Sequence, residues 1–448
     1  MQTLSRIGGV ADARPLQTLT LFFILCVLAY LATIPLPRVD GMLIGSDGVG
    51  YYMYVRSLVI DHDLDFTDEY AHLYPQSPPP ERTPTGIVGN QYAIGPGLLW
   101  APFFIVAHLL SLALHAINPA VTTDGYSYLY QAAISLGSIV YGFIGLVLVY
   151  KTISRDAPRR ALVATLLLWF ATNVVYYMLV EPSMSHMCSL MAVSLLVYLW
   201  LSARPLTTMR QFLLLGLAGG LVGIVRQPDA TLLLLPVLDT WLGHQPVLAK
   251  LKGTAVIGVG FIAIFWVQML AWLIQYGSPF SSGYLYGGKQ FFTWLTPHLF
   301  EVLFSTEHGL YLWHPVLLLA TVGLVLVLRR DRVLGSLLFL GLGMQAYLIG
   351  AWSVWDQGDS FGGRMFIASL PILAPGLAAI LEWAWDHRAR AIALVGAVVL
   401  VVWNGLFLLQ YRLGYISMSG PYTLDQLILG KLYMFSDLFL RIAHLIRR

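Results

Sequence analysis

The chain has 448 residues, 58% of them hydrophobic and 11% charged, with a formal net charge of +3 and a mean hydropathy of +0.72. Soluble domains carry about 25% charged residues, so the main solvent for this chain is lipid. The small net charge argues against a nucleic-acid partner, and the lack of short alternating strands argues against a membrane β-barrel.

A helix needs about 20 apolar residues to cross the hydrocarbon core. The first apolar run, 16–36, follows Arg6 and Arg14 and ends at Pro35-Leu36-Pro37 without a small-residue cleavage site. It reads as a retained first helix rather than a signal peptide. A polar loop over 37–93 comes next. It contains Gly45-Ser46-Asp47-Gly48-Val49-Gly50-Tyr51-Tyr52, then Arg56, Asp61, Asp63, Asp65, Asp68 and Glu69. Further apolar runs lie near 94–116, 126–150, 161–180, 184–203, 211–225, 229–242, 253–275, 310–328, 333–351, 366–383 and 391–410. Cys26 and Cys188 sit inside apolar runs and read as packing residues.

Basic residues gather at Arg6/Arg14, Lys151/Arg155/Arg159/Arg160, Arg204/Arg210, Lys250/Lys252, Arg329/Arg330/Arg332 and Arg388/Arg390. Basic loops favour the cytoplasmic side. With all of them inside, loop 37–93 is outside, and only one crossing fits between it and Lys151. Two runs lie there. The run 94–116, with Gly95-Pro96-Gly97 at its start and Pro102 within, is therefore expected to bend and lie at the outer interface. The fold class is an all-α polytopic membrane protein: a bundle of about eleven transmembrane helices over 1–410, with a large first outer loop carrying juxtamembrane helices. Residues 411–448 are expected to form an amphipathic segment on the outer membrane face.

This topology collects nearly every chemically capable residue on the non-cytoplasmic side. Ionisable groups at a bilayer are costly to place and are usually functional. Asp47, at the mouth of the first helix, reads as a general base. Arg364 follows Gly358-Asp359-Ser360-Phe361-Gly362-Gly363 and opens an apolar helix, where a cation opposes the helix dipole but suits a bound phosphate. Arg226 and Lys289 are further phosphate-binding candidates. Tyr51, Tyr52, Arg56, Glu181, His186, Glu307, His308, Trp355 and Asp359 are candidates for the substrate pocket. The tyrosines and tryptophans also suit an interfacial belt, and the acids a solvated face. A single carboxylate suffices for direct attack by an acceptor hydroxyl with inversion at the anomeric carbon, whereas a retaining hydrolase needs a close pair.

Three motifs carry a resemblance. They are Ser46-Asp47-Gly48-Val49-Gly50-Tyr51-Tyr52 continuing to Asp61–Tyr70, Trp355 through Gly358-Asp359-Ser360-Phe361-Gly362-Gly363-Arg364, and Glu307-His308-Gly309-Leu310 followed by Pro315. With the architecture of most of the chain, they resemble the type C (GT-C) glycosyltransferase superfamily. That superfamily includes protein O-mannosyltransferases, the aminoarabinose transferase of lipid A, and oligosaccharyltransferases. The bacterial multi-pass proteins of the dolichyl-phosphate-mannose-protein mannosyltransferase-like group look closest. The resemblance implies that Asp47 is the catalytic base of an inverting transfer from a polyprenyl-phosphate sugar. The acceptor would be a glycan, lipid or protein, and the site would face the periplasm or exterior at a bacterial plasma membrane.

Two departures bear on mechanism. Several relatives carry two adjacent acids where this chain has Asp47-Gly48, which weakens a metal-dependent reading. No cofactor is required by the sequence, and no metal ligands are assigned. Trp355-Asp356-Gln357-Gly358 is similar to the tryptophan-tryptophan-aspartate motif of oligosaccharyltransferases, but that motif belongs to a soluble domain for which the tail here is too short. Alternatives are a polysaccharide polymerase or ligase using a diphosphate-linked lipid donor, and a transporter or flippase of lipid-linked glycans. The lack of an internal repeat argues against the latter.

Overall fold

The computed structural model describes residues 14–36, 41–78, 80–288, 290–417, 420 and 422–446. Among these, regular structure is helical, and strand-like pairing is limited to two isolated bridges, Arg82 with Val88 and Phe292 with Trp352. Eight of the described helices are long and apolar enough to cross a membrane. They are Pro15–Thr33, Gly95–Ile117, Tyr128–Ile153, His186–Ala203, Val247–Tyr276, Arg332–Ala351, Arg364–Asp386 and Arg390–Arg412. Several leave broad apolar faces uncovered by protein; in Arg390–Arg412, Ile392 is 76% exposed and Val395 64%. Such faces are costly in water and matched in hydrocarbon. The chain is a polytopic helical membrane protein.

Length alone does not reproduce the expected eleven crossings, because several apolar runs are broken. Run 161–180 is interrupted after Ala161–Phe170. Run 229–242 opens as a 3-10 turn, Gln227–Leu233, with Pro228 in its first turn, before Leu234–Leu242. Run 310–328 splits into Leu310–Trp313 and Pro315–Arg330 at a proline that suits the first position of a helix. The opposite happens at 94–116. Gly95–Ile117 is one continuous helix of 23 residues with Pro102 inside it, about 34 Å long at the standard rise. It is among the candidate spans, although charge bias alone placed it at the interface.

Contacts divide the chain into two compact units, 1–152 with 177–291, and 153–176 with 292–448.

In the first unit, Thr208 and Gln211 form a capping box that starts Met209–Val225. The loop between the first helix and Gly95 is ordered by buried amides. Gln268 and Gln275 stand two turns apart on Val247–Tyr276, both fully buried. Gln268 Oε1 accepts from Ile94 N at 3.0 Å, and Gln275 Oε1 from Asn90 N at 2.8 Å. The Gln275 amide also donates to the Tyr54 hydroxyl at 3.0 Å. Asn90 Nδ2 in turn donates to the Gly50 carbonyl at 2.7 Å. Asp65 gathers Thr67 N, Thr67 Oγ1 and Val88 N at 3.2, 2.7 and 3.0 Å. Burial alone would raise the Asp65 carboxyl, but these hydrogen bonds bring it below its ordinary value. The short helices Gly48–Arg56 and Thr67–Leu73 lie in this stretch.

In the second unit, Pro315–Arg330 and Leu370–Asp386 approach until their backbones touch. A Cβ on Gly323 would stand 1.9 Å from the Gly376 carbonyl oxygen, the close approach that small residues permit between membrane helices. The C-terminal segment forms Leu424–Ile428 and Gly430–Ile446. Lys431 lies buried over the Phe407 ring, donates to Gln410 Oε1 at 3.0 Å, and is lowered by burial to about 7. That part of the tail packs on Arg390–Arg412 rather than resting on lipid alone.

Candidate functional site

Asp47 immediately precedes Gly48–Arg56, where an aspartate commonly caps the free amides of the first turn. Its side chain does not cap the helix. The carboxylate instead accepts a hydrogen bond from the Tyr92 hydroxyl at 3.0 Å on Oδ1. The Tyr92 ring lies against Gly50, where an added Cβ would stand 2.0 Å from it. Gly50 is therefore the residue that lets Tyr92 reach the carboxylate.

Around this pair sits an aromatic cluster. The Tyr51 and Tyr92 ring centroids are 4.9 Å apart, and those of Tyr92 and Tyr284 5.7 Å apart, edge to face. The Ser185 hydroxyl donates to the Tyr51 oxygen at 3.1 Å, and the Tyr51 and Tyr284 oxygens are 3.4 Å apart. Burial, then the Asp47 charge, raises the Tyr51 phenol, while the Arg226 charge opposes them. Burial also raises Tyr92 and Tyr284. All three phenols stay protonated at neutral pH and available as donors.

Arg226 ends Met209–Val225, where the helix dipole favours a cation. It donates from Nη1 to His186 Nδ1 at 3.0 Å, which places the neutral imidazole proton on Nε2. Its Nε lies 3.7 Å from Asp229 Oδ2, which accepts from Ser189 Oγ at 2.6 Å. One unit thus holds Asp47, Tyr51, Tyr92, Ser185, His186 and Arg226, with Tyr51 responding to charges of both signs. Ser183 packs on this helix start, because a Cβ on Gly48 would stand 2.7 Å from its carbonyl oxygen. Glu181, two residues earlier, is half-buried.

Other candidates have structural partners. The Tyr52 hydroxyl is fully buried and donates to the Gly125 carbonyl. Arg56 binds Asp61, Glu69 at 2.9 Å and the Asp124 carbonyl at 3.1 Å, and its guanidinium lies 4.4 Å over the Tyr126 ring. Burial raises Glu69 to about 7 against the pull of Arg56.

The remaining candidates belong to the second unit. Arg364 is buried and begins a 3-10 turn, Arg364–Ser369, that continues into Leu370–Asp386. His308 is buried in a left-handed backbone conformation and donates from Nδ1 to the Asp356 carbonyl at 2.7 Å. Burial lowers its pKa, and the Arg364 charge adds to that. Trp355 stacks on His298 with centroids 4.7 Å apart. Glu307 lies half-buried against Gly420, and Asp359 is exposed. Lys289 lies outside the described residues.

Among the described residues, no group of three His, Cys, Asp or Glu side chains is placed to hold a metal ion. Tyr92, Ser189, Gln268 and Gln275 are candidate functional or supporting residues with no local signal in the sequence. Beside the first unit's loop is a cavity of about 600 Å³ bordered by Tyr92. No family model matches the chain, and a search of curated proteins finds no similar sequence.

Proposed function

We propose that the chain is an inverting membrane glycosyltransferase that moves a sugar from a polyprenyl-phosphate donor to an acceptor hydroxyl, with Asp47 as the base. The observation that carries this reading is the placement of Asp47: at a helix start, its carboxylate makes no capping hydrogen bond and is held by the Tyr92 hydroxyl. In the step, the acceptor oxygen attacks the anomeric carbon and its proton passes to Asp47. The bond from that carbon to the phosphate oxygen breaks, and its electron pair leaves with the phosphate.

Arg226 is the proposed cation for the departing phosphate. Its contact with Asp229 is long at 3.7 Å, so a better-placed oxyanion competes for the guanidinium. Arg364, a buried guanidinium at a helix start, is proposed separately as a phosphate-binding residue of the second unit. The wider proposal is a bundle of about eleven crossings in a bacterial plasma membrane, with Asp47 on the non-cytoplasmic side.

The test is purified full-length protein offered a panel of polyprenyl-phosphate sugars, with Asp47→Asn beside the wild type. Transfer that depends on Asp47, with donor binding retained in the variant, is the expected result. Near-normal turnover by Asp47→Asn removes the carboxylate from the base role. Turnover only of diphosphate-linked donors favours a polymerase or ligase instead.

A further inference from the structure

We infer that the cavity in the first outer loop is an acceptor subsite for a neutral oligosaccharide, held beside Asp47 by the tyrosine that orients it. The inference rests on the transferase reading and names the acceptor class that reading leaves open.

The cavity holds about 600 Å³, within the range of small-molecule sites. Its described lining includes Tyr70, Tyr74 and Tyr92 with Thr67, Ser77 and Gln91, and none of the described lining residues is charged. Aromatic faces accept the C–H faces of pyranose rings, while hydroxyl and amide groups exchange hydrogen bonds with sugar hydroxyls. A phosphate would find no cation among the described lining residues, and the Asp47 charge nearby would repel it. Beside the apolar side chains of Met53, Ala71, Val88 and the prolines, the lining carries phenol, hydroxyl and amide groups that a polyprenyl tail would leave without hydrogen bonds. The donor sugar carries its own phosphate and so suits a cation-lined site better. That leaves an uncharged, hydroxyl-rich molecule.

The position has a second consequence. Tyr92 lines the cavity and donates to Asp47 Oδ1 at 3.0 Å. Occupancy and base orientation therefore share one side chain. The floor at Gly50, Met53 and Val88 is buried, whereas the rim at Tyr74, Pro75, Ser77 and Pro78 is exposed. A chain of sugars can thus lie partly in solvent with its terminal residue inside. The rim prolines fix local backbone angles.

The experiment is saturation-transfer NMR on the purified full-length protein with neutral di- to tetrasaccharides of α- and β-linkage. Wild type is compared with Tyr74→Ala, which removes one stacking face, and Ala71→Trp, which fills the cavity from an exposed helix position. We expect saccharide binding to wild type and weakening by about tenfold in each variant. No binding of any saccharide to wild type, or equal binding in all chains, overturns the subsite. Binding that maps to Tyr74 in a protein without transferase activity supports the subsite and retires the catalytic reading.

Discussion

The Tyr92 hydroxyl donates to Asp47 Oδ1 at 3.0 Å across 45 residues of sequence, from a ring seated on Gly50. Removing the hydroxyl while keeping the ring isolates the hydrogen bond. Tyr92→Phe should lower turnover about tenfold to a hundredfold, because a hydrogen bond to a charged group contributes about 1.5–3 kcal/mol. The acceptor KM should stay within about twofold, since the stacking face is kept. Steady-state kinetics on both substrates check the split.

Gly50→Ala tests the seat itself. A methyl group 2.0 Å from the Tyr92 ring cannot be accommodated without moving the ring or the loop. The variant should lose about 1–3 kcal/mol of stability and most of its activity together. Thermal unfolding in detergent, read beside turnover, would expose any variant that keeps both and so refute the seat.

Arg226→Lys keeps the charge and removes the planar fork that also engages His186. The donor KM should rise about tenfold while the acceptor KM holds. Equal rises for both substrates would mark Arg226 as a scaffold residue paired to Asp229.

Glu69 offers a pH test of the loop. Burial raises its carboxyl from 4.5 to about 7 in the folded protein. Between those values the folded state keeps a proton that the unfolded state releases, so stability falls as pH rises through the window. The melting temperature should be higher at about pH 5 than at about pH 8, and Glu69→Gln should flatten that part of the curve. Calorimetry of both proteins across the range decides it.

The ionisable members of the site were legible in the sequence because charge is rare in this chain. Asp47, Arg226 and His186 stand out against apolar neighbours, and the first unit brings the latter two into contact. Tyr92, Gln268 and Gln275 were not legible. Their roles arise from partners 45, 174 and 185 residues away, and no local pattern encodes such pairings. The membrane class followed from hydropathy. The positions of helix breaks did not, because a hydropathy run takes no account of Pro315, which divides one apolar stretch into two shorter helices. Continuous helix through Pro102 shows the converse. Position within an element, not proline alone, decides a break.

The glutamines on Val247–Tyr276 have a mechanical consequence. They fasten Asn90 and Ile94, on either side of Tyr92, to a membrane helix. Swinging that stretch outward would leave two amides dry, at a penalty of about 1–3 kcal/mol each. On the proposed transferase reading, a substrate reaching Asp47 passes a stationary wall rather than a hinged door, and the breadth of the rim limits its size.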